Sequence, residues 1–120
     1  MKEYHLGLAE SRFADRIWEL EPITAAELAK LGAEEFQWKK TTCYTVLKRL
    51  CEKGIFCNEG GTVTSRMSRT EFYGKMSEQF VENSFQGSLP TFLAAFASRK
   101  KLSGEDLARL RRMIDEYGED

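Results

Sequence analysis

The sequence predicts a mainly helical fold with one small β-hairpin, and three observations support this prediction. Apolar residues recur at helical spacing over most of the chain, beginning with residues 8–20. Capping patterns and glycine or proline breaks divide these stretches into short helices. A single pair of β-prone segments, residues 55–57 and 62–64, lies in the middle of the chain and is joined by a turn sequence containing two glycines.

The first two helices follow from spacing and capping. Residues 8–20 are apolar at helical intervals, and the Glu-Pro dipeptide that follows ends the helix. Thr24 and Glu27 form a capping-box pattern, in which the hydroxyl caps the helix and the carboxylate reaches back. This pattern predicts a second helix over residues 25–31, and Gly32 is expected to end it.

The third helix, which begins at Lys40 and stops at Gly54, has two different faces when it is wound at about 100° per residue. The apolar face carries Cys43, Val46, Leu47, Leu50 and Cys51. The other face carries Thr41, Thr42, Thr45, Lys48, Arg49 and Glu52. Threonine is a weak helix former, so short hydroxyl residues and cations without apolar bulk favour a helix that lies against a phosphate backbone and base edges.

Three helices followed by a hairpin is the element order of a winged helix-turn-helix. In that arrangement the third helix enters the DNA major groove and the hairpin, or wing, lies along the backbone. The sequence therefore predicts a winged DNA-binding domain over residues 1–67.

The charges of the chain are unevenly distributed. The net charge of −1 alone argues against a nucleic-acid binder, and residues 1–35 hold eight anions and four cations. Residues 37–54, however, hold five cations and one anion, which makes a localised basic element. The predicted DNA contacts come from this element and from one arginine beyond the hairpin: Lys39, Lys40, Thr41, Thr42, Thr45, Lys48, Arg49 and Arg66.

Residues 68–120 predict a helical dimerisation arm. Serines at 68, 88 and 103 mark the starts of three short amphipathic helices. Such short helices cannot bury their apolar faces on each other alone, so a symmetric second copy is the economical partner. The predicted dimerisation residues are Phe72, Met76, Phe80, Leu89, Leu93, Phe96, Leu107, Leu110 and Ile114.

Several function classes have no basis in the sequence. The three cysteines lie eight and six residues apart, which fits neither a disulfide framework nor a zinc site, so we expect reduced cysteines, a cytoplasmic protein and no metal or cofactor. Cys43 and Cys51 are expected to be structural. One histidine and no nucleophile motif give catalysis no support. No secretory signal and no membrane-spanning run is visible.

Four stretches of the chain resemble the penicillinase-repressor family, and together they cover nearly all of it. They are residues 8–20, the third-helix pattern (Trp38, Thr42, Thr45, Leu47, Arg49, Leu50), the KGIF that follows it, and residues 92–114. The resemblance implies a dimeric winged-helix repressor of palindromic operators upstream of β-lactamase-type or related genes. It also implies a membrane-bound sensor metalloprotease that cuts the arm ahead of a phenylalanine, and the matching bond is Ala95-Phe96.

The sequence departs from the family at two of these places. Lys39-Lys40 stands where relatives usually have Ser/Asp-Pro, which loses an N-cap and costs about 1 kcal/mol. Ala95 stands where many relatives have asparagine. Two alternatives stay open: a winged-helix module whose third helix meets a protein partner, and a regulator controlled directly by a ligand.

Overall fold

The computed structural model describes residues 4–118 and shows a mainly α winged-helix fold, which confirms the predicted fold class. In chain order the elements are α1 (Leu8–Leu20), β1 (Ile23–Thr24), α2 (Ala25–Phe36), α3 (Lys40–Glu52), β2 (Phe56–Glu59), β3 (Thr62–Ser65), α4 (Arg69–Phe85), α5 (Leu89–Arg99) and α6 (Gly104–Tyr117). The chain divides between Phe80 and Val81 into two compact units. No helix in the described part of the chain combines the length and the apolar character needed to cross a membrane.

The wing is part of a three-stranded antiparallel sheet with the order β1-β3-β2. β2 and β3 pair from Phe56 opposite Ser65 to Glu59 opposite Thr62, as the predicted hairpin requires. The turn residues Gly60 and Gly61 have φ values of 59° and 90°, and a two-residue type I′ turn needs positive φ at both positions. The third strand, β1, was not predicted.

The core of the first unit lies between its helices and the sheet. Its largest fully buried side chains are Phe13, Phe56, Phe72, Ile17, Leu28, Leu50, Ile55, Val63 and Cys43. Removing each such aliphatic or aromatic side chain from water contributes about 1.5–3 kcal/mol before entropic costs. Trp18 joins this core to the end of the wing, because its indole N–H donates to the Met67 carbonyl at 2.9 Å while its ring lies 5.0 Å from that of Phe56.

The prediction that Gly32 ends the second helix is wrong, because α2 continues to Phe36. A Cβ at position 32 would overlap the Cys43 sulfur, so this glycine allows α2 and α3 to pack closely. The helix ends instead at Gln37, which has a left-handed φ of 54°, and the Trp38 N–H donates to the Gly32 carbonyl at 3.0 Å.

The assignment of Phe72 to a dimer interface is also wrong. Its side chain is fully buried within the first unit, where its ring lies 5.8 Å from that of Trp18 and 6.0 Å from that of Tyr4. Met76, one turn further along α4, packs partly against the same core. The apolar stripe of α4 therefore begins as intramolecular core, because its first turns serve the winged unit.

The second unit comprises the end of α4, α5 and α6. The hydroxyls of Ser88 and Ser103 accept backbone hydrogen bonds from Thr91 and Asp106 at 3.2 and 3.0 Å, which confirms both predicted caps. None of the described residues of this unit is buried. Large apolar side chains stay exposed on it: Leu89, Phe96, Leu107, Met113, Ile114 and Tyr117. A single copy therefore leaves this apolar surface uncovered.

Candidate nucleic-acid interface

The two predicted faces of α3 are separated in the structure by burial. Cys43, Val46, Leu47 and Leu50 are buried in the core. The predicted contact residues lie on the opposite, exposed side: Lys39, Lys40, Thr41, Thr42, Thr45, Lys48 and Arg49. The structure thus brings seven of the eight predicted DNA contacts together on one helix and the residue before it.

The packing behind α3 holds this exposed face in place. Gly32 lets α2 approach Cys43, whose thiol lies 3.8 Å from the Ala29 carbonyl. At the start of α3, the Trp38 ring stacks on Phe36 at 4.9 Å and lies 5.2 Å from Phe13. Trp38 therefore packs against the core. The part of α3 that remains exposed to solvent is its polar face.

The first turn of α3 carries positive charge and no side-chain cap. Lys39 occupies the N-cap position with extended backbone angles, and no side chain caps the helix there. No acidic residue lies in the first turn. Within the helix, the hydroxyl of the exposed Thr45 donates to the Thr41 carbonyl at 2.8 Å, which leaves its oxygen able to accept a hydrogen bond. Cations near a helix N-terminus oppose the helix dipole, so Lys39 and Lys40 do not stabilise the start of α3.

The wing contributes less positive charge than α3. Its tip is ordered by the Asn58 side chain, which accepts from the Gly61 N–H at 3.1 Å, and by the Ala25 N–H, which donates to the Gly61 carbonyl at 2.8 Å. Glu59 places a carboxylate next to the turn. Arg66 is exposed, but its guanidinium lies 3.8 Å from the Cys57 sulfur rather than at the tip.

The comparison with known proteins agrees with this geometry. Residues 6–116 match the family model described as penicillinase repressor. The chain belongs to the penicillinase repressor family. The penicillinase repressor of Bacillus licheniformis is 26% identical to it over 113 residues, which cover 91% of this chain and 88% of that protein. The family is one of DNA-binding transcriptional repressors associated with antibiotic resistance.

Tyr44 is a candidate contact of this repressor-family chain that the sequence reasoning missed. Its side chain is 38% exposed on α3. On a helical wheel it lies one turn from both Lys40 and Lys48, at the edge of the basic face. Its spacing of four residues from each lysine is the sequence signal for this position, although tyrosine is neither a small hydroxyl residue nor a cation.

The predicted cleavage residues Ala95 and Phe96 lie within α5, and both are exposed. The Ala95 carbonyl accepts from the Ser98 hydroxyl at 2.7 Å, and the Phe96 carbonyl accepts from the Lys100 N–H at 2.9 Å. The bond is thus accessible at its side chains while its backbone is part of a helix.

Proposed function

We propose that the chain is a homodimeric transcriptional repressor that binds a palindromic operator through α3. The observation that carries the proposal is the exposed face of α3, where threonines and cations cluster opposite a buried apolar face in a member of a repressor family. We assign DNA binding to residues 1–67 and dimerisation to residues 68–120 apart from Phe72. Action on chromosomal operators implies the cytoplasm.

The side chains on this face can contact both the base edges and the phosphate backbone of DNA. The Arg49 guanidinium offers donors in a rigid fork, which fits guanine O6 and N7 or a phosphate. Thr42 and Thr45 offer short hydroxyls that reach base edges or backbone oxygens without steric bulk. Lys40 and Lys48 can neutralise phosphates, and each such contact adds about 0.9 to the slope of affinity against salt concentration on logarithmic axes.

Dimerisation is supported by the apolar surface of the second unit, which one copy leaves exposed. A two-fold axis would relate two α3 helices and require inverted half-sites about one or more helical turns apart. A single winged unit with so few cations has few phosphate contacts, so two linked units provide the affinity that one lacks.

Replacing Arg49 by alanine tests the proposal directly. We expect Arg49→Ala to weaken binding to a fragment of the chain's own promoter by about 1–3 kcal/mol, or roughly 5- to 150-fold, because a recognition contact is lost. Fluorescence anisotropy over a series of salt concentrations measures this, and sedimentation velocity should show an unchanged dimer. Arg12→Ala, an exposed arginine of α1, is the matched control and should bind like the parent chain.

Two outcomes would contradict the proposed recognition. Equal affinity of the Arg49→Ala and Arg12→Ala variants would remove Arg49 from the site. Promoter binding that does not depend on salt, or no binding at all, would favour the alternative in which α3 meets a protein partner.

We also propose that a membrane sensor metalloprotease ends repression by cutting between Ala95 and Phe96. The exposed Phe96 side chain supports recognition. Because the bond lies within α5, this helix must open locally before cleavage, and the opened fraction sets the rate. Incubation with the sensor protease should give fragments 1–95 and 96–120 by mass spectrometry, and Phe96→Ala should block their formation. Operator release by a small molecule with the chain intact would instead support direct ligand control.

A further inference from the structure

A cleft between the end of α3 and the base of the wing brings two thiols and a guanidinium together. It is lined by Cys51, Gly54, Phe56, Cys57, Asn58 and Arg66. Cys51 and Cys57 are both half-buried, so small solutes can reach each of them, and both are reduced. Cys51 packs partly against the core, as the apolar face of α3 predicts, and also lines the cleft.

The Cys57 thiol lies between two opposite charges. The Arg66 guanidinium is 3.8 Å from its sulfur, and the thiol donates to a Glu59 carboxylate oxygen at 3.3 Å. The sulfur is therefore in contact with one cation and one anion, both of them on the wing and its end. Cys57 is thus the thiol of this chain that has a cation in contact.

Cys51 shares this environment. Burial raises the pKa of Cys51, and the negative charge of Cys57 raises it further, while the charge of Arg66 and the Asn58 backbone N–H lower it. Both thiols line this cleft, and the backbone N–H beside the Cys51 thiol belongs to Asn58, the residue that follows Cys57. Cys43 differs, because it is 2% exposed, burial raises its pKa, and its nearest polar partner is the Ala29 carbonyl.

We propose that Cys51 and Cys57 form a thiol pair that a low-molecular-weight disulfide converts into an internal disulfide. The Cys57 thiolate attacks one sulfur of the reagent, the reagent's S–S bond breaks, and the released thiolate takes up a proton. The Cys51 thiolate then attacks the Cys57 sulfur, and the second half of the reagent leaves as a thiol. In total two protein thiols are oxidised, and one small disulfide is reduced to two thiols.

Oxidation at this position would act on the DNA-binding surface, a consequence that rests on the proposed function. Cys51 lies two residues after Arg49 on α3, and Cys57 contacts Arg66 beside the wing. An S–S bond would join the end of α3 covalently to β2 and would remove the thiol that Arg66 contacts. We expect the oxidised chain to bind its promoter about tenfold more weakly, because protein–DNA contacts near Arg49 or Arg66 would be displaced. A tenfold loss of affinity corresponds to about 1.4 kcal/mol of binding free energy.

Treatment of the full chain with oxidised glutathione tests the pair. Intact mass without reductant should show the loss of two hydrogens, and peptide mapping should show Cys51 linked to Cys57. Cys51→Ser should stop at a glutathione adduct on Cys57, and Cys43→Ser, the matched control, should oxidise like the parent chain. Arg66→Gln should slow the first step several-fold and Glu59→Gln should accelerate it, because the guanidinium attracts the anionic glutathione disulfide and the carboxylate repels it.

The two proposals fail in different ways. Stable glutathione adducts on both thiols without an internal bond, or oxidation of Cys43 at the same rate, would overturn the thiol pair while promoter binding of the reduced chain is retained. Formation of the disulfide in a chain that never binds its promoter would overturn the proposed function alone. An oxidised chain that binds the promoter as tightly as the reduced chain would overturn the regulatory consequence.

Discussion

At the residue scale, Gly32 determines how closely α2 and α3 pack. It lies inside α2, where glycine weakens a helix by about 0.5–1 kcal/mol relative to alanine. That cost is offset because the absence of a side chain makes room for the Cys43 sulfur. The position of α3, and with it the candidate DNA surface, therefore depends on one missing methyl group.

Gly32→Ala should destabilise the chain by about 1–3 kcal/mol, because the added methyl overpacks a tight contact. Urea unfolding followed by circular dichroism measures the change. The matched control is Gly74→Ala in α4, where an added Cβ meets nothing within 4 Å, and it should gain about 0.5–1 kcal/mol. Combining Gly32→Ala with Cys43→Ala should recover part of the loss, and equal stabilities of the two glycine variants would refute the packing argument.

At the element scale, α3 begins without a side-chain N-terminal cap. Lys39 stands at the N-cap with suitable backbone angles but with a side chain that cannot accept a hydrogen bond. The other helix starts that follow Thr24, Ser88 and Ser103 are capped by hydroxyls. Among the described residues, two helices, α1 after Gly7 and α3 after Lys39, begin without a side-chain cap, and α3 is the one that carries the proposed contacts.

Lys39→Ser and Lys39→Ala together separate capping from charge. Serine should stabilise the chain by about 1 kcal/mol relative to alanine, because it caps the helix. Both variants should bind the promoter more weakly by the same factor, since both remove the cation. In both, the slope of log affinity against log salt concentration should become shallower by about 0.9, the value for one phosphate contact. Thermal unfolding and anisotropy titrations measure the two effects, and a serine variant that binds like the parent chain would show that Lys39 makes no phosphate contact.

The accuracy of sequence reasoning depended on how local each determinant is. α3 could be predicted because the residues that define its apolar and polar faces all lie within 13 consecutive positions. The end of α2 could not be predicted, because the role of Gly32 depends on its contact with Cys43. Strand β1 could not be predicted either, because its two residues form a strand only by pairing with Val63 and Thr62. In the same way, the burial of Phe72 depends on Trp18, which lies far away in the sequence.

At the scale of the whole molecule, the two units differ in how many of their side chains are buried from solvent. The first unit has a core with fully buried aromatic side chains, whereas no described residue of the second unit is buried. Two short helices and the end of α4, with Phe96 and Leu107 exposed, are marginal by themselves. The exposed apolar surface of the second unit would be buried by binding a partner, and in the proposed repressor that partner is a second copy of the chain.

Leu107→Asp should convert the dimer into monomers, because a carboxylate buried in an apolar interface without a partner costs several kcal/mol. Sedimentation velocity measures this, and affinity for a full operator should fall toward that for a half-site. Leu20→Asp is the matched control, since both leucines are 40% exposed and Leu20 lies on α1. A Leu107→Asp chain that sediments like the control would exclude Leu107 from the interface.

In the proposed complex with DNA, the uncapped start of α3 would link the folding of this helix to DNA binding. The first N–H groups of a helix need acceptors, and here no side chain provides one. A phosphate of the operator fits such an end, because the helix dipole and the two neighbouring ammonium groups all attract an anion. DNA would then supply from outside the cap that the sequence omits, so the operator would act as a folding ligand for α3. The melting temperature of the chain should accordingly rise with operator concentration, and rise less when serine replaces Lys39.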